Sequence, residues 1–352
     1  MEKTWKKNLI EITPYVSGEQ PKTDKIIKLN ANENPFPPSP AAVEAVRALD
    51  NTAFRKYPDS TASGVRKALA GFYGVSPENI FIGNGSDDVL ALSFRAFFNS
   101  EKPIFFPDIT YSFYPVWCSL LKIPYKTIPV SDDFRIDPED YAAENGGVVI
   151  PNPNAPTSIG EGKEFIEKLL ENNKDSIVII DEAYVDFGGY SSVELLKKYE
   201  NLLVVQTMSK SRSLAGMRIG MAIGSEELIS VLTAVKDSYN SYPLDAAAQA
   251  AASASVNDDE YFRDTVNKVI TLRDELLSEL RSLGFKAPDS KTNFIFCSHP
   301  VFKAEYIFSQ LRERGIFIRY FKIPRIDNYL RITVGTKEQN NRLILELKEI
   351  II

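Results

Sequence analysis

The sequence predicts an α/β fold: a large domain with a mainly parallel sheet flanked by helices, joined to a smaller α+β domain. Three observations carry that expectation. Between about residues 46 and 245, short near-continuous apolar runs alternate with helix-patterned stretches, as strands buried on both faces require. Beyond about residue 245 the texture changes to long helices and short strands. The chain has 352 residues, 44% hydrophobic and 25% charged, enough for two domains and a large core.

In chain order, residues 1–45 read as an N-terminal arm that also lends part to the small domain. They are rich in Lys and Asn, with Pro35, Pro37, Pro38 and Pro40 clustered. Residues 46–245 form the expected large domain. Val65 to Tyr73 has the spacing of an amphipathic helix. Asn79 to Ile82 is a short strand, and Gly83-Asn84-Gly85-Ser86-Asp87-Asp88 turns it into a helix from Val89 to Phe98. Strands follow at Ile104 to Phe106, Val148 to Ile150, Ile177 to Ile180, Leu202 to Val205 and Met221 to Ile223, with a helix from Gly162 to Asn172 among them. Residues 246–352 form the expected small domain. Ala246 to Ala254 and Glu260 to Leu283 read as helices. Asn293 to Cys297, Ile316 to Ile318 and Leu330 to Val334 read as strands, and Ala304 to Arg314 and Lys337 to Ile351 as helices.

Bulk properties exclude several function classes. A net charge of −6 gives no broad basic surface for nucleic acid. Cys118 and Cys297 make neither a disulfide framework nor a metal-spacing motif, and fit a reducing cytoplasm. His299, the single histidine, argues against a histidine metal site or a Ser-His-Asp triad. The opening residues lack the apolar core of a signal peptide, and no apolar run is long enough to span a bilayer.

The most informative stretch is Thr207-Met208-Ser209-Lys210-Ser211-Arg212, running on to Arg218. A lysine delivered by a buried strand into a small polar loop suits an amine that forms a Schiff base with a carbonyl cofactor. Ser209 and Arg218 beside it suit a phosphate, and together they point to pyridoxal phosphate (PLP). Asp181 directly ends a strand, where ligands of parallel sheets bind, and suits a pyridinium nitrogen; a helix N-cap explains it equally well. Tyr184 on the same turn suits the cofactor's phenolic oxygen. Gly85, Ser86 and Asp87 suit a phosphate at a helix N-terminus, though a capped tight turn accounts for them too. Tyr111 fits a ring-stacking residue or a plain core aromatic. Arg331, inside an apolar strand, needs a carboxylate or phosphate partner, and Arg319 follows a strand in the same way. Asn152 to Thr157 reads as a Pro-rigidified turn.

These motifs, in this order, resemble the aspartate-aminotransferase superfamily of PLP enzymes (fold type I), and more narrowly the histidinol-phosphate aminotransferases. The resemblance runs from Thr13 to Gly335 and rests chiefly on Leu29 to Pro35, Arg55 to Asp59, Asp181 to Tyr184, the Lys210 segment and Leu330 to Gly335. It implies that Lys210 holds the cofactor and moves the proton, that Asp181 holds the pyridinium and that Tyr184 holds the phenolic oxygen. It implies further that Tyr111 stacks on the ring, and that Gly85, Ser86, Asp87, Ser209 and Arg218 surround the phosphate. Tyr57 would reach that phosphate from the other subunit of a homodimer. Tyr15, Arg319 and Arg331 would hold the anionic end of a small phosphorylated amine or keto acid. The expected reaction converts L-histidinol phosphate and 2-oxoglutarate to imidazole-acetol phosphate and L-glutamate in histidine biosynthesis.

One departure stands out. Where the family has Asn-Pro-Thr-Gly, this chain has Ala155-Pro156-Thr157-Ser158. Asn154, next door, is the expected stand-in; loss of one such hydrogen bond costs about 1 kcal/mol. Rival readings are a threonine-phosphate decarboxylase, an aromatic aminotransferase, and a PLP-binding regulator that works through protein contacts.

Overall fold

The structure is a computed structural model that describes residues 4–15, 19–21 and 26–351; parts of the expected arm (1–3, 16–18, 22–25) and Ile352 lie outside them. The strands are β1 (Ile27–Lys28), β2 (Ile80–Gly83), β3 (Ile104–Pro107), β4 (Tyr125–Ile128), β5 (Val148–Pro151), β6 (Val178–Asp181), β7 (Leu202–Thr207), β8 (Gly220–Gly224), β9 (Phe294–Cys297), β10 (Ile316–Phe317), β11 (Arg319–Tyr320) and β12 (Leu330–Thr333). The helices are α1 (Pro40–Arg47), α2 (Ser63–Tyr73), α3 (Ser86–Phe97), α4 (Tyr114–Leu121), α5 (Lys163–Asn172), α6 (Glu226–Tyr239), α7 (Ala246–Asn257), α8 (Asp259–Ser282), α9 (Ala304–Glu313) and α10 (Lys337–Ile350).

The main sheet has seven strands in the order β2-β8-β7-β6-β5-β3-β4, and only β8 runs against its neighbours. Alternation along each strand builds two cores. Val148, Ile150, Val178, Ile180, Leu202 and Val204 face α2, α5 and α7, while Val149, Ile179, Leu203 and Val205 face α3, α4 and α6. Covered on both sides, these strands need the unbroken apolar runs that marked them in the sequence. A second sheet, β11-β12-β9, is antiparallel and shares a third core with α8, α9 and α10. The arm's β1 pairs in parallel with β10, and Leu29 sinks into that same core.

Several elements differ from expectation. The arm runs into α1, capped by Ser39 with Pro40 at its first turn. Helices α4 and α6 and strand β4 had no counterpart in the sequence reading. Three of the four residues of β4 are exposed, because it is the sheet's edge and shows no apolar run. Asn79 lies in a 3-10 turn rather than in β2. The carboxyl ends of β5, β6 and β7 lie side by side, with Pro151 paired to Asp181 and Asp181 to Val205. That edge positions the site.

Candidate active site

A cavity of about 250 Å³ opens at this edge, lined by Tyr15, Ser86, Asp87, Tyr111, Ala155, Asp181, Tyr184, Thr207, Ser209, Lys210, Arg218, Arg319 and Arg331, among others. Strand β7 is buried along its whole length and delivers Lys210 through a tight polar turn. Ser209 N–H donates to Thr207 Oγ1 (3.1 Å), whose hydroxyl reaches Ile219 O (3.1 Å), so the turn is tied back to the residue just before β8. Asn34 Nδ2 donates to Lys210 O (3.0 Å), clamping the loop from the arm side. The lysine's Nζ lies 3.4 Å from Ala31 O and 5.8 Å from the centroid of the Tyr184 ring.

Asp181 is the last residue of β6 and is buried. Tyr114 Oη donates to its Oδ2 (2.8 Å) and Ala183 N–H to its Oδ1 (3.3 Å). Burial pushes its carboxyl up to about 6, and those two donors pull the other way. Asp181 therefore caps nothing helical; it faces the cavity. Tyr184 packs edge-on against Phe294 (5.1 Å) and accepts a hydrogen bond from Asn32 Nδ2 (2.9 Å).

Gly85 has φ +86° and precedes the first turn of α3, where Ser86 and Asp87 begin the helix. A Cβ at Gly85 would lie 2.5 Å from Arg218 Nη2, and one at Gly220 would lie 2.3 Å from Gly85 C and 2.4 Å from Ser86 N. The two glycines thus let β8, the helix start and the guanidinium close on one another. Asp87 joins them: it accepts from Tyr111 Oη (2.7 Å) and Arg218 Nη2 (3.2 Å).

At the opposite wall Arg319 and Arg331 are directly paired across β11 and β12. Arg331 donates to Asn30 O (3.2 Å), while its buried Nε has no partner among the described residues. Desolvation holds its guanidinium below its usual range, and the Arg319 charge adds to that. Tyr15 stacks on Phe113 with centroids 4.1 Å apart.

A family model described as aminotransferase class I and II matches residues 24–347. A histidinol-phosphate aminotransferase of Clostridium acetobutylicum is 51% identical over 351 residues, covering all of both chains. One of Acinetobacter baumannii is 52% identical, covering 99% of this chain and 97% of its own. The chain belongs to this family. Among solved structures, the histidinol-phosphate aminotransferase of Sinorhizobium meliloti in complex with pyridoxal 5′-phosphate superposes with a TM-score of 0.85 at 26% identity, over 93% of this chain and 91% of that one. The architecture is PLP fold type I, and the family's cofactor is PLP.

The residues present fit that cofactor. Asp181 is a buried carboxylate met by neutral donors alone among the described residues, and a pyridinium would supply the missing opposite charge. The glycine-lined start of α3, with Arg218 beside it, is shaped for a phosphate.

Lys210, Asp181, Tyr184, Tyr111, Ser86, Asp87, Ser209, Arg218, Tyr15, Arg319 and Arg331 all reach the one cavity. Three expected residues are not among those lining it: Gly85, which lies against Arg218 at the start of α3, and two that stand elsewhere. Asn154 turns its amide to Ile109 O (2.9 Å) and ties two loops together, leaving Ala155 on the cavity wall. Tyr57 is 83% exposed and stacks on Tyr242 (4.6 Å), away from this subunit's cavity. Tyr114, Asn32, Asn34 and Thr207 were given no role from the sequence. Tyr114 had a signal, standing three residues past Tyr111 at a helix start; Asn32 and Asn34 sat in the Leu29 to Pro35 motif.

Proposed function

We propose that the chain transfers the amino group of L-histidinol phosphate to 2-oxoglutarate, giving imidazole-acetol phosphate and L-glutamate in histidine biosynthesis. It works as a cytoplasmic homodimer with shared active sites. The relatives' names support the reaction. The single observation that supports an anionic substrate is the Arg319–Arg331 pair. Like charges directly opposite on antiparallel strands repel, and an anion between them turns that repulsion into binding. A phosphate group suits the pair in one half-reaction and a carboxylate of glutamate in the other.

Bound PLP supplies the electron sink that lets charge develop at the substrate's Cα. Lys210 would hold the cofactor through Nζ, and its free amine would take the proton from the substrate's Cα and deliver it to C4′. Asp181, ionised, keeps the ring nitrogen protonated. Tyr184 donates to the phenolic oxygen, Tyr111 stacks on the ring, and Gly85, Ser86, Asp87, Ser209 and Arg218 surround the phosphate. Tyr57 reaches that phosphate in the partner's site. The separate sheets support a division into an arm with part of the small domain (1–45), a PLP-binding domain (46–245) and a small domain (246–352), although α7, at the start of the last, packs on the large sheet. The free, buried Cys118 and Cys297 support a reducing compartment.

The test is a single-turnover spectrum of PLP-loaded protein mixed with histidinol phosphate and no keto acid. The visible cofactor band should convert to the amine form, and 2-oxoglutarate should restore it. A band that ignores histidinol phosphate but answers an aromatic amino acid or phosphothreonine would overturn the substrate.

A further inference from the structure

The arm residue Asn32 is buried, 2% exposed, and has φ 55°, a left-handed conformation that few residues other than glycine and asparagine accept. Three hydrogen bonds fix it there. Its N–H donates to Thr333 Oγ1 (3.0 Å), its carbonyl accepts from Asn293 Nδ2 (3.0 Å), and its Oδ1 accepts from Thr333 Oγ1 (3.1 Å). The last bond decides which way the amide faces. With Oδ1 on the threonine proton, Nδ2 points at Tyr184 Oη (2.9 Å). With the amide reversed, the threonine proton would lose this acceptor.

A phenol has one proton. Because Tyr184 Oη accepts from Asn32, its proton is left for another acceptor, and Asn32 is its one hydrogen-bond partner among the described residues. Lys210 Nζ stands over the ring, 5.8 Å from its centroid, rather than at the oxygen. Ala155, on the cavity wall, offers no side-chain donor. We propose that Asn32 is a positioning residue: it obliges Tyr184 to donate its proton into the cavity, onto the phenolic oxygen of bound PLP. This rests on the reading that Tyr184 meets that oxygen. The arrangement also links the two ends of the site. Thr333, which orients Asn32, lies two residues along β12 from Arg331, so the strand that carries an anion-binding arginine also sets the donor on the cofactor.

The test is a pH titration of the visible band of the PLP-loaded protein, which needs no turnover. A donor on the phenolic oxygen favours its ionised form and lowers the pH of the spectral transition. Asn32→Gly removes the amide while keeping a backbone suited to positive φ; Asn32→Asp keeps the shape but offers an acceptor that draws the Tyr184 proton away. Both should raise the transition by about one pH unit. Tyr184→Phe should raise it as well, and the double variant Asn32→Gly/Tyr184→Phe no further than Tyr184→Phe alone. A shift in Tyr184→Phe with none in either Asn32 variant overturns the role of Asn32 alone. No shift in Tyr184→Phe overturns the reading of Tyr184, and this proposal with it.

Discussion

Asp181 shows how a single residue sets a pH dependence. Burial pushes its carboxyl up to about 6, so without the cofactor the proton stays on well above the usual carboxylate range. A pyridinium needs the ionised form. Below about pH 6 binding must expel that proton, and PLP affinity should fall as pH drops, by up to about tenfold per unit. Tyr114 donates to the ionised carboxylate, so Tyr114→Phe should move the fall to higher pH, and Asp181→Asn should remove it while weakening binding throughout. Equilibrium titration of apoprotein with PLP across about pH 4 to 8, two units either side of the transition, reads all three. An affinity and pH profile that Asp181→Asn leaves unchanged would show that Asp181 is not the partner of the ring nitrogen.

At the scale of elements, the close meeting of β8 with the start of α3 builds the end of the cavity proposed for the phosphate. Gly220→Ala drives a methyl to within 2.3 Å of the Gly85 carbonyl carbon and 2.4 Å of Ser86 N, so the helix start must move. The expected cost is about 1–3 kcal/mol of stability together with weaker PLP binding. Gly216→Ala, with open space around it, should change stability by less than about 0.5 kcal/mol. Thermal melts with and without PLP separate the two, and equal behaviour would mean that this contact does not shape the site.

The same scale explains what could be read in advance. Strands β5, β6 and β7 announced themselves because both faces are covered and every residue is buried. The edge strand β4 did not, and α4 is so apolar that no helical stripe separates a buried face from an exposed one. Lys210, Asp181 and Arg331 were legible because ionisable groups at the ends of, or within, buried strands need a chemical reason. Which of Asn154 and Ala155 faces the cavity depends on how the turn is tied to Ile109, far away in sequence. Likewise, Asn32 gains its role from Thr333 and Asn293, about three hundred residues away.

At the scale of the whole molecule, the exposed aromatics support the proposed homodimer. Phe54 and Tyr57 on the loop between α1 and α2, and Tyr239 and Tyr242 at the end of α6, are all exposed, and Tyr57 stacks on Tyr242. Aromatic surface of this kind is typically covered in an assembly. If Tyr57 completes the partner's site, defects in two variants should complement. Lys210→Ala alone should be inactive, and Tyr57→Ala alone should bind PLP about 10- to 100-fold more weakly, from the lost hydrogen bond to a phosphate. In a mixed dimer one site carries both defects and the other carries neither. An equal mixture allowed to exchange subunits should therefore recover about a quarter of wild-type activity at limiting PLP, since half the dimers are mixed and each has one intact site. If Tyr57 served its own subunit, every site would keep a defect and mixing would restore nothing, so the activity of the mixture alone decides whether the site is shared.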